Sequence, residues 1–406
     1  MELYNKNNIN ILLQKEAKTP RYSVDMFFKV NKGQKYFGIT TLLARLLLQG
    51  TKKYSSQALA LEFENNCIDI SIIAKKDYIK ASLSFLNEDF KYAMELLKEL
   101  LINSTFDEFE KEVFKLRGEI IADLDNPRFK LSDMFTKSIF KFHPYSSCHT
   151  KILEDLDKIK KEDITEAHKN LFNSQKAIVL VGDFEDENEI INYFENEFSF
   201  MKNENQQDEI YDLYYNDIKE DEIIKISKND ASQAQIIQGW LVDSFKSEYC
   251  AKYTVLNNIL GASGLSSRLF VNLRDKQGLA YTVRSHYETM LHSAIFSMYI
   301  GTTPKNIQKS LEGFEIELQK LASNPPDEKE LQGAKENISG RYKYFSQNNS
   351  QISSRKGYDF MMGLGLNYDD LFLDDVNHVS AQDVSNMAQK LLSMPKLITI
   401  IAPDEK

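Results

Sequence analysis

Six histidines, three cysteines and two evenly spaced polar pairs are the places in this chain where chemistry could be sought. Catalytic zinc is usually held by compact local motifs, most simply two imidazoles one helical turn apart. His143, His149, His168, His286, His292 and His378 include no pair three or four residues apart, so no such motif is present. Cys67, Cys148 and Cys250 are odd in number, widely spaced and free of a CxxC pair. They suggest neither a disulfide framework nor a cysteine zinc site, and read as thiols of a reducing compartment. Glu112 and Glu119 are seven apart, nearly two helical turns, and flank an apolar stripe of Phe109, Val113, Leu116 and Ile120. They could point into a shared cavity, or sit on a solvated helix edge as charged residues usually do. Arg274 and Tyr281 are also seven apart. Read alone, Arg274 would pair with a neighbour such as Asp275, and Tyr281 would be a half-buried strand residue.

The elements that must position these residues are written twice. Positions 153, 169 and 176 run against 373, 389 and 396 at a constant offset of 220, and the same offset sets Asp107-Glu108 against Asp327-Glu328. Each copy of the longer stretch opens with an acidic turn, continues as a helix and ends in a strand of β-branched residues. A fixed offset over so many positions indicates duplication of one domain. A length of 406 residues also suits two domains. The expected division is 1–200, an acidic linker at 201–222 and 223–406. Residues 203–222 carry eight acids and one lysine, which would keep the linker solvated. Ile68, Ile70 and Ile72, then Ile79, Ala81, Leu83 and Phe85, alternate with polar residues as half-buried strands do. Helical spacing occupies 38–49, 90–103 and 107–124. Grouped strands followed by grouped helices predict an α+β fold in which antiparallel-rich sheets pack with helices.

Composition narrows the partners. Hydrophobic residues at 42% and charged residues at 27% describe a globular chain, and a net charge of −10 argues against nucleic acid. No apolar run approaches the roughly 20 residues of a membrane span. The opening Met-Glu-Leu-Tyr-Asn-Lys-Asn-Asn lacks the apolar core of a signal peptide, so a cytoplasmic location is expected.

Three stretches then converge. They are Gly38-Ile-Thr-Thr-Leu-Leu-Ala-Arg-Leu-Leu-Leu-Gln-Gly-Thr51, then Glu112-Val-Phe-Lys-Leu-Arg-Gly-Glu119-Ile followed by Asp125-Asn-Pro127, and Gly264-Leu-Ser-Ser-Arg-Leu-Phe-Val-Asn-Leu-Arg274-Asp-Lys-Gln-Gly-Leu-Ala-Tyr281. With the duplication, they resemble the M16 zinc metallopeptidases, which include processing peptidases and insulin-degrading enzymes. The resemblance implies two homologous M16-type domains. In active members the first helix carries H-x-x-E-H, two zinc-binding imidazoles and the glutamate that activates the metal-bound water. The matching positions here are Thr41, Ala44 and Arg45, which offer no imidazole or carboxylate and add a permanent cation. Glu119 matches the third zinc ligand and Glu112 a nearby carboxylate. Arg45 is expected to pair with Glu119 in the space left by zinc, unless both glutamates lie on the solvated edge.

Arg274 and Tyr281 match the pair with which family members hold the substrate backbone and stabilise the transition state. A guanidinium and a phenol hydroxyl are suitable donors to an oxyanion. Gly261-Ala-Ser-Gly264 resembles the family's flexible glycine-rich loop. The expectation is a non-catalytic subunit, inactive alone and without zinc of its own. It would supply Arg274 and Tyr281 to an H-x-x-E-H partner that carries zinc and cleaves extended peptides. The alternative is a structural, assembly or maturation factor without proteolysis.

Overall fold

The computed structural model describes residues 1–6, 9–30, 33–201, 218–228 and 231–404. The acidic stretch read as a linker therefore lies largely outside the described residues. The strands are β1 Glu2–Lys6, β2 Ile9–Lys15, β3 Arg21–Lys29, β4 Asp69–Ala74, β5 Tyr78–Leu86, β6 Lys176–Gly182, β7 Glu222–Ser227, β8 Ala234–Val242, β9 Ala280–Thr289, β10 Ala294–Thr302 and β11 Leu397–Ala402. The helices are α1 Ile39–Leu46, α2 Ser56–Asn65, α3 Phe90–Asn103, α4 Phe109–Asp125, α5 Pro127–Phe140, α6 His149–Asp155, α7 Lys161–Leu171, α8 Glu187–Glu197, α9 Cys250–Asn257, α10 Ile307–Ser323, α11 Glu328–Tyr344, α12 Asn349–Met361, α13 Tyr368–His378 and α14 Ala381–Ser393. Among the described residues no helix is long and apolar enough to cross a membrane.

The strands form two sheets, ordered β1-β2-β6-β3-β5-β4 and β7-β11-β8-β10-β9. Without the edge strand β1, the two orders superimpose position for position. The one parallel neighbour pair in each sheet is also equivalent, β2 with β6 and β7 with β11. The fold is α+β with two homologous domains, the architecture expected from the internal repeat.

The alternation in β5 buries Ile79, Ala81, Leu83 and Phe85 and leaves Lys80, Ser82 and Ser84 on the opposite face. By contrast, β6, β8 and β11 are buried at every residue, so both of their faces are covered. The second cover comes from an exchange. One compact unit gathers Met1–Ile120, Lys151–Tyr211 and Lys343–Tyr368, and the other Ile121–Thr150, Asp212–Tyr342 and Asp369–Lys406. Helix α12 thus packs on β3 and β6, and helix α5 on β8 and β11. This division differs from the contiguous one at 1–200 and 223–406, because each unit takes one helix from the other half of the sequence.

Leu131, Phe135 and Ile139 of α5 enter a cluster with Ile237, Leu241, Leu397 and Ile401. Burying side chains of this size is worth about 1.5–3 kcal/mol each. Glycines permit the close approach on both sides. A Cβ at Gly239 would lie 2.6 Å from Phe135, and one at Gly357 would lie 2.1 Å from Phe27.

Candidate functional site

Helix α1 turns Ile39, Leu42, Leu43, Ala44 and Leu46 inward, which leaves Arg45 at its rim in the last turn. A cation there also complements the carbonyl end of the helix. Helix α4 buries Phe109, Glu112, Leu116 and Ile120. The apolar stripe therefore includes Glu112, with Val113 only half-buried beside it. A carboxylate placed on a core stripe must be compensated, because its charged form loses hydration there.

Arg45 supplies that compensation. Its Nε donates to Glu112 Oε2 at 3.0 Å, and its Nη1 and Nη2 donate to Glu119 Oε2 and Oε1 at 2.8 and 2.9 Å. The Glu119 contact is a two-pronged guanidinium–carboxylate pair, the geometry that suits arginine better than lysine. Lys115 Nζ donates to the other Glu112 oxygen at 2.6 Å. Glu112 is only 2% exposed, and both its oxygens are engaged by cations. Glu119 is 55% exposed, and the Arg45 hydrogen bonds hold its carboxyl below the ordinary range. The two places open to the glutamates are thus divided, with Glu112 inside and Glu119 at the edge, and one guanidinium joins them.

These residues do not fit a zinc ion. Thr41 and Ala44 offer no imidazole or carboxylate, and Arg45 occupies both glutamates. Among the described residues no group of three or more His, Cys, Asp or Glu side chains is arranged to hold a metal. A cavity of about 260 Å³ beside α1 is lined by Ile39, Thr40 and Leu43 of that helix and by none of Thr41, Ala44 and Arg45.

The second cluster belongs to the other unit. Asn258–Ala262 and Phe270–Lys276 are wider π-helical turns, a feature that recurs at functional sites. Arg274 lies in the second of them with its guanidinium 4.7 Å from the centre of the Phe270 ring. Among the described residues it forms no ion pair, with Asp275 or any other acid. Tyr281, at the start of β9, is 65% exposed rather than half-buried. Both side chains are open to a ligand.

The stretch that carries Arg274 is clamped at two points. Arg268 donates to Glu330 through Nε at 2.7 Å and Nη2 at 2.5 Å. Asn272 donates to the buried Glu317 at 2.9 Å, and Lys320 donates to its other oxygen at 2.6 Å. Sequence reasoning missed these five residues and Lys115. Arg268 stood inside the quoted motif, but nothing in the spacing points to an acid 62 residues away.

Gly261 requires a correction. It is not part of a flexible loop but is buried in the first π-turn, where a Cβ would lie 2.2 Å from the Ser285 nitrogen. Its role is close approach of that turn to β9. Gly264 does sit in an open turn, at φ 97°, with nothing near a notional Cβ.

Comparison with known proteins follows the same two halves. Residues 11–151 match the family described as "Insulinase (Peptidase family M16)", and residues 158–338 match "Peptidase M16 inactive domain". A Bacillus subtilis protein called "Uncharacterized zinc protease YmxG" is 24% identical, across 90% of this chain and 88% of its own. A Helicobacter pylori protein called "Non-peptidase homolog YmxG" is 22% identical, across 91% and 85%. Among solved structures, a peptidase M16 inactive domain from Pseudomonas fluorescens superimposes with a TM-score of 0.88 at 20% identity. That match covers 100% of this chain and 98% of that one. A protease from Helicobacter pylori gives 0.89 at 19%, covering 99% of each.

Proposed function

Because the chain belongs to peptidase family M16, we propose that it is a zinc-less subunit working beside an H-x-x-E-H member of the same family. The observation that carries this reading is Arg45, whose three hydrogen bonds engage Glu112 and Glu119, the carboxylates this reading assigns to the metal site of zinc-bearing members. In this reading the partner holds the zinc, and this chain binds an extended peptide and offers Arg274 and Tyr281 to the oxyanion formed on peptide cleavage. Their exposure, and the clamps on the turn that bears Arg274, support that role. In this reading the peptide adds as a further strand beside β4, which ends the strand order of its sheet among the described residues. The reading places the complex in the cytoplasm.

The test is purification of the tagged full-length chain from its own cells. The expected result is an M16 chain with intact H-x-x-E-H at equal stoichiometry and chelator-sensitive peptide cleavage by the complex. Arg274→Ala should then lower kcat/KM about 100-fold, the scale of one lost oxyanion donor. A chain that emerges alone, or within a large assembly with no such partner, would overturn the reading. It would favour instead an assembly or maturation factor, a role in keeping with the non-peptidase description of the Helicobacter pylori relative.

A further inference from the structure

Six of the nine arginines in this chain meet a carboxylate or a backbone carbonyl. The guanidinium groups of Arg128, Arg274 and Arg284 meet neither among the described residues. All three belong to one compact unit of a chain with 60 acidic and 50 basic residues, where acids to pair with are plentiful. Arg274 has a place beside Tyr281. Arg128 and Arg284 share a different feature, a single aromatic ring.

Strand β9 ends the order of its sheet, and alternation sets Thr282, Arg284 and His286 on one of its faces. The register puts Arg284 beside Tyr299 of β10 and His286 beside Ser297. Tyr299 also pairs with Ile237 of β8 and joins the cluster that α5 covers. Arg128 stands in the first turn of α5, after the Asn126 cap and Pro127. The exchanged helix thus carries a guanidinium from the first half of the sequence to the sheet of the second. Its charged carbon lies 5.2 Å from the centre of the Tyr299 ring, and that of Arg284 lies 5.5 Å from the same point. The Tyr299 hydroxyl donates to Gln235 at 2.5 Å, which fixes the ring.

Each cation gains from the ring, but two like charges gathered there repel each other until an anion joins them. The protein supplies none. Glu288, the acid on the same face of β9, forms no ion pair with either arginine among the described residues. The Arg284 Nε is enclosed without an acceptor, and buried donors are rarely left so. The Arg128 charge is felt instead at His286, whose imidazole is held below its ordinary range by partial burial first and by that cation second.

We propose that Arg128 and Arg284 together bind a carboxylate, and that the ligand bearing it is an extended peptide with acidic side chains. Guanidinium forks match the two oxygens of a carboxylate. Arg284 follows Tyr281 by three residues on β9, roughly 10 Å along the strand. An extended peptide rises at the same rate, so an acidic side chain a few positions from the bond held at Tyr281 would reach Arg284. The peptide, though not the carboxylate site, rests on the proposed binding of substrate at Arg274 and Tyr281.

The experiment is calorimetric titration of the full-length protein at fixed ionic strength with an end-blocked peptide rich in glutamate, its glutamine counterpart, and inorganic phosphate. Saturable binding of the glutamate peptide is expected. It should weaken about tenfold or more for the glutamine peptide, and by a similar factor in Arg128→Gln and in Arg284→Gln, the scale of one charge-assisted hydrogen bond. Lys246→Gln removes the same charge from an exposed position of the same unit and should leave binding unchanged. Melting curves would verify folding, and the exposed Arg128 carries the test should Arg284→Gln not fold. Equal binding of the two peptides, no saturable peptide binding, or losses in the arginine variants no larger than in Lys246→Gln would overturn the proposal. Saturable phosphate binding without the glutamate peptide would overturn it in favour of a free phosphate. No partner chain is needed, so failure here leaves the zinc-bearing partner untouched, and absence of that partner leaves this binding to be measured.

Discussion

The Arg45 guanidinium answers two different needs, since Glu112 has been taken out of water and Glu119 has not. Removing the cation should therefore cost far more than removing the outer acid. Arg45→Ala leaves Glu112 buried with Lys115 alone, and we expect a loss of about 2–4 kcal/mol in urea denaturation. Glu119→Gln removes a mostly exposed partner and should cost under about 1 kcal/mol. A smaller loss for Arg45→Ala than for Glu119→Gln would contradict the geometry. Glu119 also has a pH signature. Its folded carboxyl lies below the ordinary range, so its contribution is complete above the unfolded pKa of roughly 4.3 and fades as pH falls through the folded value. Denaturation curves from pH 6 to pH 3 should show a shallower acid slope in Glu119→Gln than in the parent. At this scale the resemblance set Thr41, Ala44 and Arg45 against the zinc motif, and the sequence alone shows that none of the three is an imidazole or a carboxylate. It did not show that Glu112 joins the buried stripe in place of Val113. A helical stripe is wide enough for either neighbour, and the choice rests on a cation supplied 67 residues away.

Helices α5 and α12 do for each sheet what periodicity alone does not reveal, which is to cover its second face. The largely apolar runs of β6 and β11 imply such a cover but not its source. Glycine marks the contact, and the sign of one substitution tests it. Gly357→Ala in mid-helix would by propensity alone gain up to about 1 kcal/mol. Against the Phe27 ring it should instead cost about 1–3 kcal/mol, and Phe27→Leu in the same chain should recover part of the loss. Helix α7 gives another reading at this scale. The buried His168 in α7 donates through Nε2 to the Leu101 carbonyl of α3 at 2.7 Å, and burial lowers its pKa. His286 shifts the same way, for the same reason. The unfolded chain binds these protons first, so stability should fall as pH drops below about 6.5, by at most about 1.4 kcal/mol per pH unit for each histidine. His168→Gln should flatten that slope in titrations between pH 7.5 and pH 5.5. Gly261 belongs here too. A glycine followed by small residues reads as a hinge, and only the neighbouring β9 strand makes it a packing residue.

Across the whole molecule the repeat was legible because side-chain patterns survive duplication, and the offset of 220 predicted the equivalence that the two strand orders display. The offset could not say whose sheet each helix covers, since that depends on contacts far apart in sequence. The exchange has a direct test. Cleavage at a protease site inserted between residues 203 and 217 would leave one fragment holding 121–150 and the other holding 343–368, each built into the opposite unit. The fragments should co-elute in size-exclusion chromatography without denaturant and part only on unfolding. Separation under native conditions would mean that the exchanged helices contribute little. The same arrangement sets an order of events during biosynthesis. When β6 at residues 176–182 leaves the ribosome, the first sheet has all its strands but lacks α12, whose residues 349–361 are still unmade. At roughly 5–20 residues per second that gap lasts on the order of ten to thirty seconds. During that interval Phe27 and Asp25 stand uncovered on a nascent chain, which is when a chaperone would have most to protect.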